Sequence, residues 1–228
     1  MFDGGLIFAA GFLASAVGAL TVRLAFTRDR RIKRALRTVK PTPIRDARDG
    51  KAVKIVGELV YAGRSIAAPL SERACAYYSV VVQEYRSHGT RGGHWHEIIR
   101  EERGIDFYLR DDSGMALVRP ASNGQDFPAL VQDRKARTSP IISNDPNLER
   151  FLAARGRSVE GAFFRKNLRA YEGVLEAGER VAVGGLARWM PDPDAAGGSY
   201  RETPKRLVLE ASESLPLFLS DDPSVVRG

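Results

Sequence analysis

Three histidines are the residues whose spacing first suggests chemistry. His88, His94 and His96 are the only imidazoles in the chain and share the segment RSHGTRGGHWHE, whose last residue is Glu97. Three imidazoles and a carboxylate form a set that can bind zinc. The competing reading is a glycine-rich hairpin tip with exposed imidazoles around Trp95 and no ligand. That reading is favoured, and neither a metal nor a cofactor is expected. Cys75 beside a histidine would make a nucleophile and its base. Yet Cys75 stands in the alternation Cys75, Tyr77, Ser79, Val81, where a small thiol is ordinary core filling. A lone cysteine forms neither an internal disulfide nor a cysteine-rich zinc site. Ser71 lacks the G-x-S-x-G surroundings of a nucleophile elbow and reads as a turn cap. Asp111 and Asp112 resemble a carboxylate pair, but Asp-Asp-Ser-Gly is sufficiently explained as a turn. No phosphate-binding glycine loop or dinucleotide fingerprint occurs. The chain reads as non-catalytic.

Charge sharpens this. The 228 residues are 43% hydrophobic and 28% charged, enough for one sizeable core and an appendage. The net charge is +7, and one short segment holds all of it. Arg23, Arg28, Arg30, Arg31, Lys33, Arg34, Arg37 and Lys40 are set against the single acid Asp29. The remainder is balanced and offers no field to a phosphate backbone. Tyr77, Tyr78, Tyr85 and Trp95 are rings on which bases stack in OB-like barrels. In a neutral domain core packing is their better use, and no nucleic-acid partner is expected.

Residues 4–22, GGLIFAAGFLASAVGALTV, carry no charge. As a helix they would extend about 28 Å, close to the roughly 30 Å hydrocarbon core of a bilayer. Ala14-Ser15-Ala16 looks like a signal-peptide cleavage site. However, Met1-Phe2-Asp3 has no basic residue and the positive cluster follows the apolar run, the reverse of a secretory signal. The expectation is one uncleaved N-terminal transmembrane helix, with the N-terminus outside and the domain cytoplasmic. The basic cluster would lie on the membrane surface, each residue contributing about 1 kcal/mol, and reads equally as a topology signal alone or as lipid recognition. Small residues at Gly11, Ser15, Ala19 and at Ala10, Ala14, Gly18 would let such helices self-associate as a homo-oligomer. The expected partners are the lipid bilayer and an unidentified protein.

The rest must position whatever function exists. Pro41-Thr42-Pro43 ends the basic helix. Strands are expected at Lys51–Tyr61, Ala74–Tyr85, Ile105–Leu109, Met115–Val118, Glu179–Met190 and Arg206–Ala211 from their alternation and β-branched content. Residues 119–145 read as a long irregular connection. Asp145-Pro146 starts a helix whose apolar face is Leu148, Phe151 and Leu152. Gly50–Gly57 and Gly178–Gly185 share the pattern G-x-x-V-x-[IV]-x-G. The fold expected is therefore mainly β. A transmembrane helix precedes a curved or barrel-like domain, OB-like in two related halves, with one or two short helices. The divisions are 1–40 for the membrane and juxtamembrane helices, 41–219 for the β domain and 220–228 for a tail.

The ordered motifs carry a resemblance. They run from Gly50–Gly57 to Ala68-Pro69-Leu70-Ser71, Cys75-x-Tyr77-Tyr78 and Trp95. Phe107-Tyr-Leu-x-Asp111-x-x-Gly114, Tyr171-Glu172 and Gly178 to Gly185 follow. Over about residues 40–215 the chain resembles the GIDE, or beside-a-membrane, domain of mitochondrial-anchored E3 ubiquitin ligases and their prokaryotic relatives. The resemblance implies that Gly57, Pro69, Leu70, Ser71, Cys75, Tyr77, Tyr78, Trp95, Asp111, Gly114, Tyr171, Glu172 and Gly185 are structural. The family's eukaryotic members add a second membrane helix and a RING, which needs eight Cys/His ligands. Four such residues exist here, so ligase activity is not carried over. The function expected is a membrane-tethered, non-catalytic interaction or scaffold module binding a partner protein or lipid head groups beside the bilayer. The alternative is an accessory or remnant of a ubiquitin-like ligase system whose RING is on another chain.

Overall fold

The computed structural model describes residues 30–87, 92–120, 129–131, 141–142, 145–160, 167–193 and 204–227. Helix α1 covers 30–37, and a 3-10 turn follows at Ile44–Asp46. The first seven strands are β1 (Ala52–Tyr61), β2 (Ile66–Ala67), β3 (Ala74–Cys75), β4 (Tyr77–Ser87), β5 (Gly93–Gly104), β6 (Phe107–Asp111) and β7 (Gly114–Arg119). Two short strands, β8 (Ala129–Leu130) and β9 (Ile141–Ile142), precede helix α2 (Pro146–Ala153). The chain ends with β10 (Leu168–Leu175), β11 (Arg180–Pro191), β12 (Lys205–Glu210), β13 (Phe218–Ser220) and helix α3 (Pro223–Val226).

Five strands close a barrel in the order β1-β6-β7-β12-β11, with β11 returning to β1. All contacts are antiparallel except β7–β12. Closure requires β1 to change partner midway. Ala52–Glu58 pairs with β11 and Glu58–Tyr61 with β6. Gly57 sits at that change, where an added Cβ would lie 2.7 Å from the Arg110 carbonyl oxygen. Only glycine permits so close a crossing of backbones. Inside the barrel Val53, Ile55, Leu59, Phe107, Leu109, Val181, Val183 and Leu209 form one buried cluster.

The long connections of the barrel build a second sheet, ordered β5-β4-β10-β9. Its inner face packs on α2 through Val80, Val82, Ala170, Leu148, Phe151 and Leu152. Asp145 caps α2, its carboxylate accepting from the Asn147 and Leu148 amides, and proline occupies the first turn. Tyr77 and Leu175, at the near ends of β4 and β10, belong to the barrel's core and join the two sheets. A third cluster lies outside the barrel. There α1 lays Ile32 and Leu36 on Val56 and Ala182, and α3 adds Val225.

Two fold expectations are corrected. The chain is mainly β with a closed five-stranded barrel and few helices, but among the described residues no helix is long and apolar enough to cross a membrane. The apolar run 4–22 lies outside the described residues. Nor does the barrel consist of two related halves. The two echo segments are adjacent strands of one barrel, paired directly. The physical reason is that a Gly-bounded, bent strand suits neighbours across one closure seam. Residues 119–145 also hold two short strands within the expected irregular connection.

Candidate functional site

The residues considered for chemistry are held apart or held inert. Cys75 is fully buried, and its thiol donates to the Ile66 carbonyl at 3.4 Å. Burial, aided by the charges of Glu172 and Glu176, pushes that thiol up to about 12. A thiol so placed supplies almost no thiolate near neutrality. His94 and His96 lie two residues apart on β5, opposite Arg86 and Glu84. Glu97 projects to the other face and pairs with Arg100 at 2.7 Å. His88 lies outside the described residues. Among the described residues no group of three or more His, Cys, Asp or Glu side chains could hold a metal.

Several motif residues act as joints. Glu172 is buried on β10, and its two carboxylate oxygens accept the amides of Leu70 at 2.8 Å and Ser71 at 3.0 Å. Asn147 donates to the Leu70 carbonyl at 2.7 Å, so the Pro69-Leu70-Ser71 turn is held by strand and helix together. The exposed Ser71 hydroxyl accepts from Arg73. Asp111 gathers four donors: the amides of Ile44, Ser113 and Gly114 and the Ser113 hydroxyl. Burial opposes ionisation of Asp111, but these hydrogen bonds outweigh it and hold the carboxyl below its usual 3.8. Asp112 is an exposed turn residue. Tyr78 donates to Glu101 at 2.7 Å; burial and that carboxylate push the phenol up to about 12.

The basic segment has a defined orientation. Ile32 and Leu36 are nearly inaccessible against the barrel, and an added Cβ on Gly184 would meet Leu36 at 2.7 Å. Lys33 turns inward as well, its ammonium 2.6 Å from the buried carboxylate of Asp222. The opposite side presents Arg30, Arg31, Arg34 and Arg37, with Lys40 just beyond, all exposed. Arg23 and Arg28 lie outside the described residues. The result is a rigid strip of positive charge on the outside of the barrel.

A second surface escaped the sequence reading. On the second sheet's face away from α2, the Arg169 guanidinium lies 4.1 Å from the Trp95 ring centre and 5.5 Å from that of Tyr171. Gln83 accepts from Arg169 at 2.7 Å, and Tyr85 meets Trp95 edge-on with centroids 5.4 Å apart. Gly93 makes room for the Tyr85 ring, which would stand 2.5 Å from a Cβ there. The only advance signal was alternation, Gln83 with Tyr85 and Arg169 with Tyr171; the pairing of β10 with β4 could not be read from it. In comparisons with known proteins, the chain matched no family model, no curated protein and no solved structure.

Proposed function

We propose that this chain is a non-catalytic interaction module of the beside-a-membrane kind, seated on an anionic lipid surface through α1. One observation carries the reading: α1 buries Ile32 and Leu36 against the barrel and pairs Lys33 with Asp222, while its outer side displays Arg30, Arg31, Arg34 and Arg37. A helix fixed from behind by its apolar side does not need that side to hold lipid. Its exposed cations face outward, where phosphate and carboxylate head groups would lie. Anionic lipids are concentrated in the cytoplasmic leaflet, where each basic residue contributes about 1 kcal/mol, or roughly fivefold in partitioning. The inert Cys75 and the structural use of Asp111 and Glu172 agree with binding rather than catalysis. The order of the motifs resembling the GIDE domain adds to the same reading.

The test is partitioning of the full chain onto vesicles of phosphatidylcholine with and without phosphatidylserine. The added anionic lipid should strengthen binding, and R30Q/R31Q/R34Q/R37Q should cut most of that increment while leaving binding to neutral vesicles unchanged. Raised salt should weaken the increment through screening. An increment undiminished in the fourfold variant would overturn the reading.

A further inference from the structure

A cleft of about 480 Å³ opens at the barrel end where the β6–β7 turn, the last residues of β11 and the start of β12 meet. We propose that it binds a planar ring bearing a doubly charged anion, the chemistry of a nucleoside monophosphate. This goes beyond the lipid-surface reading and does not depend on it.

The volume falls in the range of small-ligand sites, roughly 300–1,000 Å³. Its apolar lining comes from Ile44, Tyr108, Met115 and Trp189. Met115 is 45% exposed, so its thioether is accessible at the cleft. Two aromatic rings and an accessible thioether suit the flat face of a heterocycle. The polar lining includes Arg45, Lys205 and Arg206 against Asp192, a surplus of two positive charges among the lining residues, with Asp46 lying 3.9 Å from Arg45. A phosphate monoester carries about −1.5 to −2 at neutral pH, which matches that surplus.

The cleft is built rather than incidental. Arg206 is directed by two neighbours, donating to the Tyr108 hydroxyl at 3.3 Å and to Asp192 at 3.4 Å. The Trp189 indole donates to the Ala47 carbonyl at 2.8 Å, and its amide to Asp49 at 2.8 Å. On the other wall Asp111 holds Ile44 and the turn at Gly114, while the Arg45 amide donates to Ser113. Both walls are thus fixed before any ligand arrives, which lowers the ordering cost of binding.

Trp95 and Trp189 are the only tryptophans, so W95F leaves Trp189 as a single reporter inside the cleft. Full-length W95F is titrated with AMP, adenosine and inorganic phosphate, following Trp189 emission. Saturable quenching by AMP is expected, with adenosine and phosphate each at least about tenfold weaker, the scale of one lost charge-assisted hydrogen bond. Adding K205Q, an exposed change with no structural role, should weaken AMP by about the same factor. R45Q/K205Q should weaken it further. Absence of saturable quenching at millimolar AMP, equal binding of adenosine, or undiminished AMP binding by K205Q would each overturn the proposal.

Discussion

Ile55 of β1 and Val183 of β11 stand directly opposite each other at the centre of the seam that closes the barrel. The pairings nearest to them repeat across the seam. Val53 faces Gly185 and Gly57 faces Val181. The Gly50 amide donates to Ala187 and the Gly178 amide to Leu59, both at 2.8 Å. Each strand enters from a glycine in the left-handed region, Gly50 at φ 69° and Gly178 at φ 84°. Each changes partner immediately after its second glycine: β1 turns from β11 to β6 at Glu58, and β11 from β1 to β12 at Leu186. The repeated octapeptide is therefore a local two-fold relationship between neighbouring strands.

That relationship makes the two switch glycines unequal under substitution. A Cβ at Gly57 meets fixed backbone, the Arg110 carbonyl oxygen at 2.7 Å. A Cβ at Gly185 meets the Leu217 methyl at 2.7 Å and the Glu210 carbonyl oxygen at 3.1 Å. Gly57→Ala should cost about 2–3 kcal/mol and Gly185→Ala about 1–2 kcal/mol, in the range of overpacked cores. Urea denaturation checks the order; equal midpoints for both variants and the wild type would contradict it.

Glu172 should be indispensable to the Pro69-Leu70-Ser71 turn. Glu172→Ala leaves the Leu70 and Ser71 amides without their acceptors in a largely dry site, at a cost of about 2–5 kcal/mol. Glu172→Gln keeps one carbonyl oxygen and should lose less than half as much. Hydrogen exchange gives a local readout: protection of the Leu70 amide should collapse in the alanine variant before that of Ile55 does. Unchanged Leu70 protection would show that the turn is held by Asn147 alone.

The barrel strands were legible because each carries an inward apolar set at a period of two, Val53, Ile55 and Leu59 in β1 or Val181 and Val183 in β11, although α1 also covers the outward Val56 and Ala182. β5 was not. Its Arg100-Glu101-Glu102-Arg103 run has no apolar period, and the strand is held by pairing with β4 across a bulge near Val82 and Gln83. β10 was equally hidden: Glu172 sits on its buried face, where a charge argues against a strand until the Leu70 and Ser71 amides are seen to receive it. The basic cluster was evident, but its orientation was not. Lys33 reads like its neighbours until Asp222, far along the chain, takes it out of the exposed set. The cleft had no local signature, since its lining comes from four separate segments.

Cys75 should behave as a folding reporter. With the thiol fully buried and raised to about 12, iodoacetamide should label it only through unfolding. Labelling at pH 8 should be slow in buffer and rise with urea across the same transition seen by tryptophan emission. Rapid stoichiometric labelling of the native chain would mean that the site is open and the thiol available for chemistry.

Acid should release the basic helix before the barrel fails. Burial alone would raise the Asp222 carboxyl, but the hydrogen bonds from Lys33 and Ser224 outweigh it and hold the group below its ordinary 3.8. A carboxyl whose folded value lies below the unfolded one stabilises fully above the unfolded value and loses that contribution as pH falls through the folded one. The loss therefore begins near 3.8 and completes below it. Asp222→Asn should lower the melting temperature at pH 7, and its gap from wild type should close as pH falls well below 3.8. Lys33→Met should do the same, and the double variant should lose less than the sum of the singles, because the two share one ion pair. A constant gap between wild type and Asp222→Asn from pH 7 to pH 2 would show that ionisation of Asp222 contributes nothing to holding α1 on the barrel.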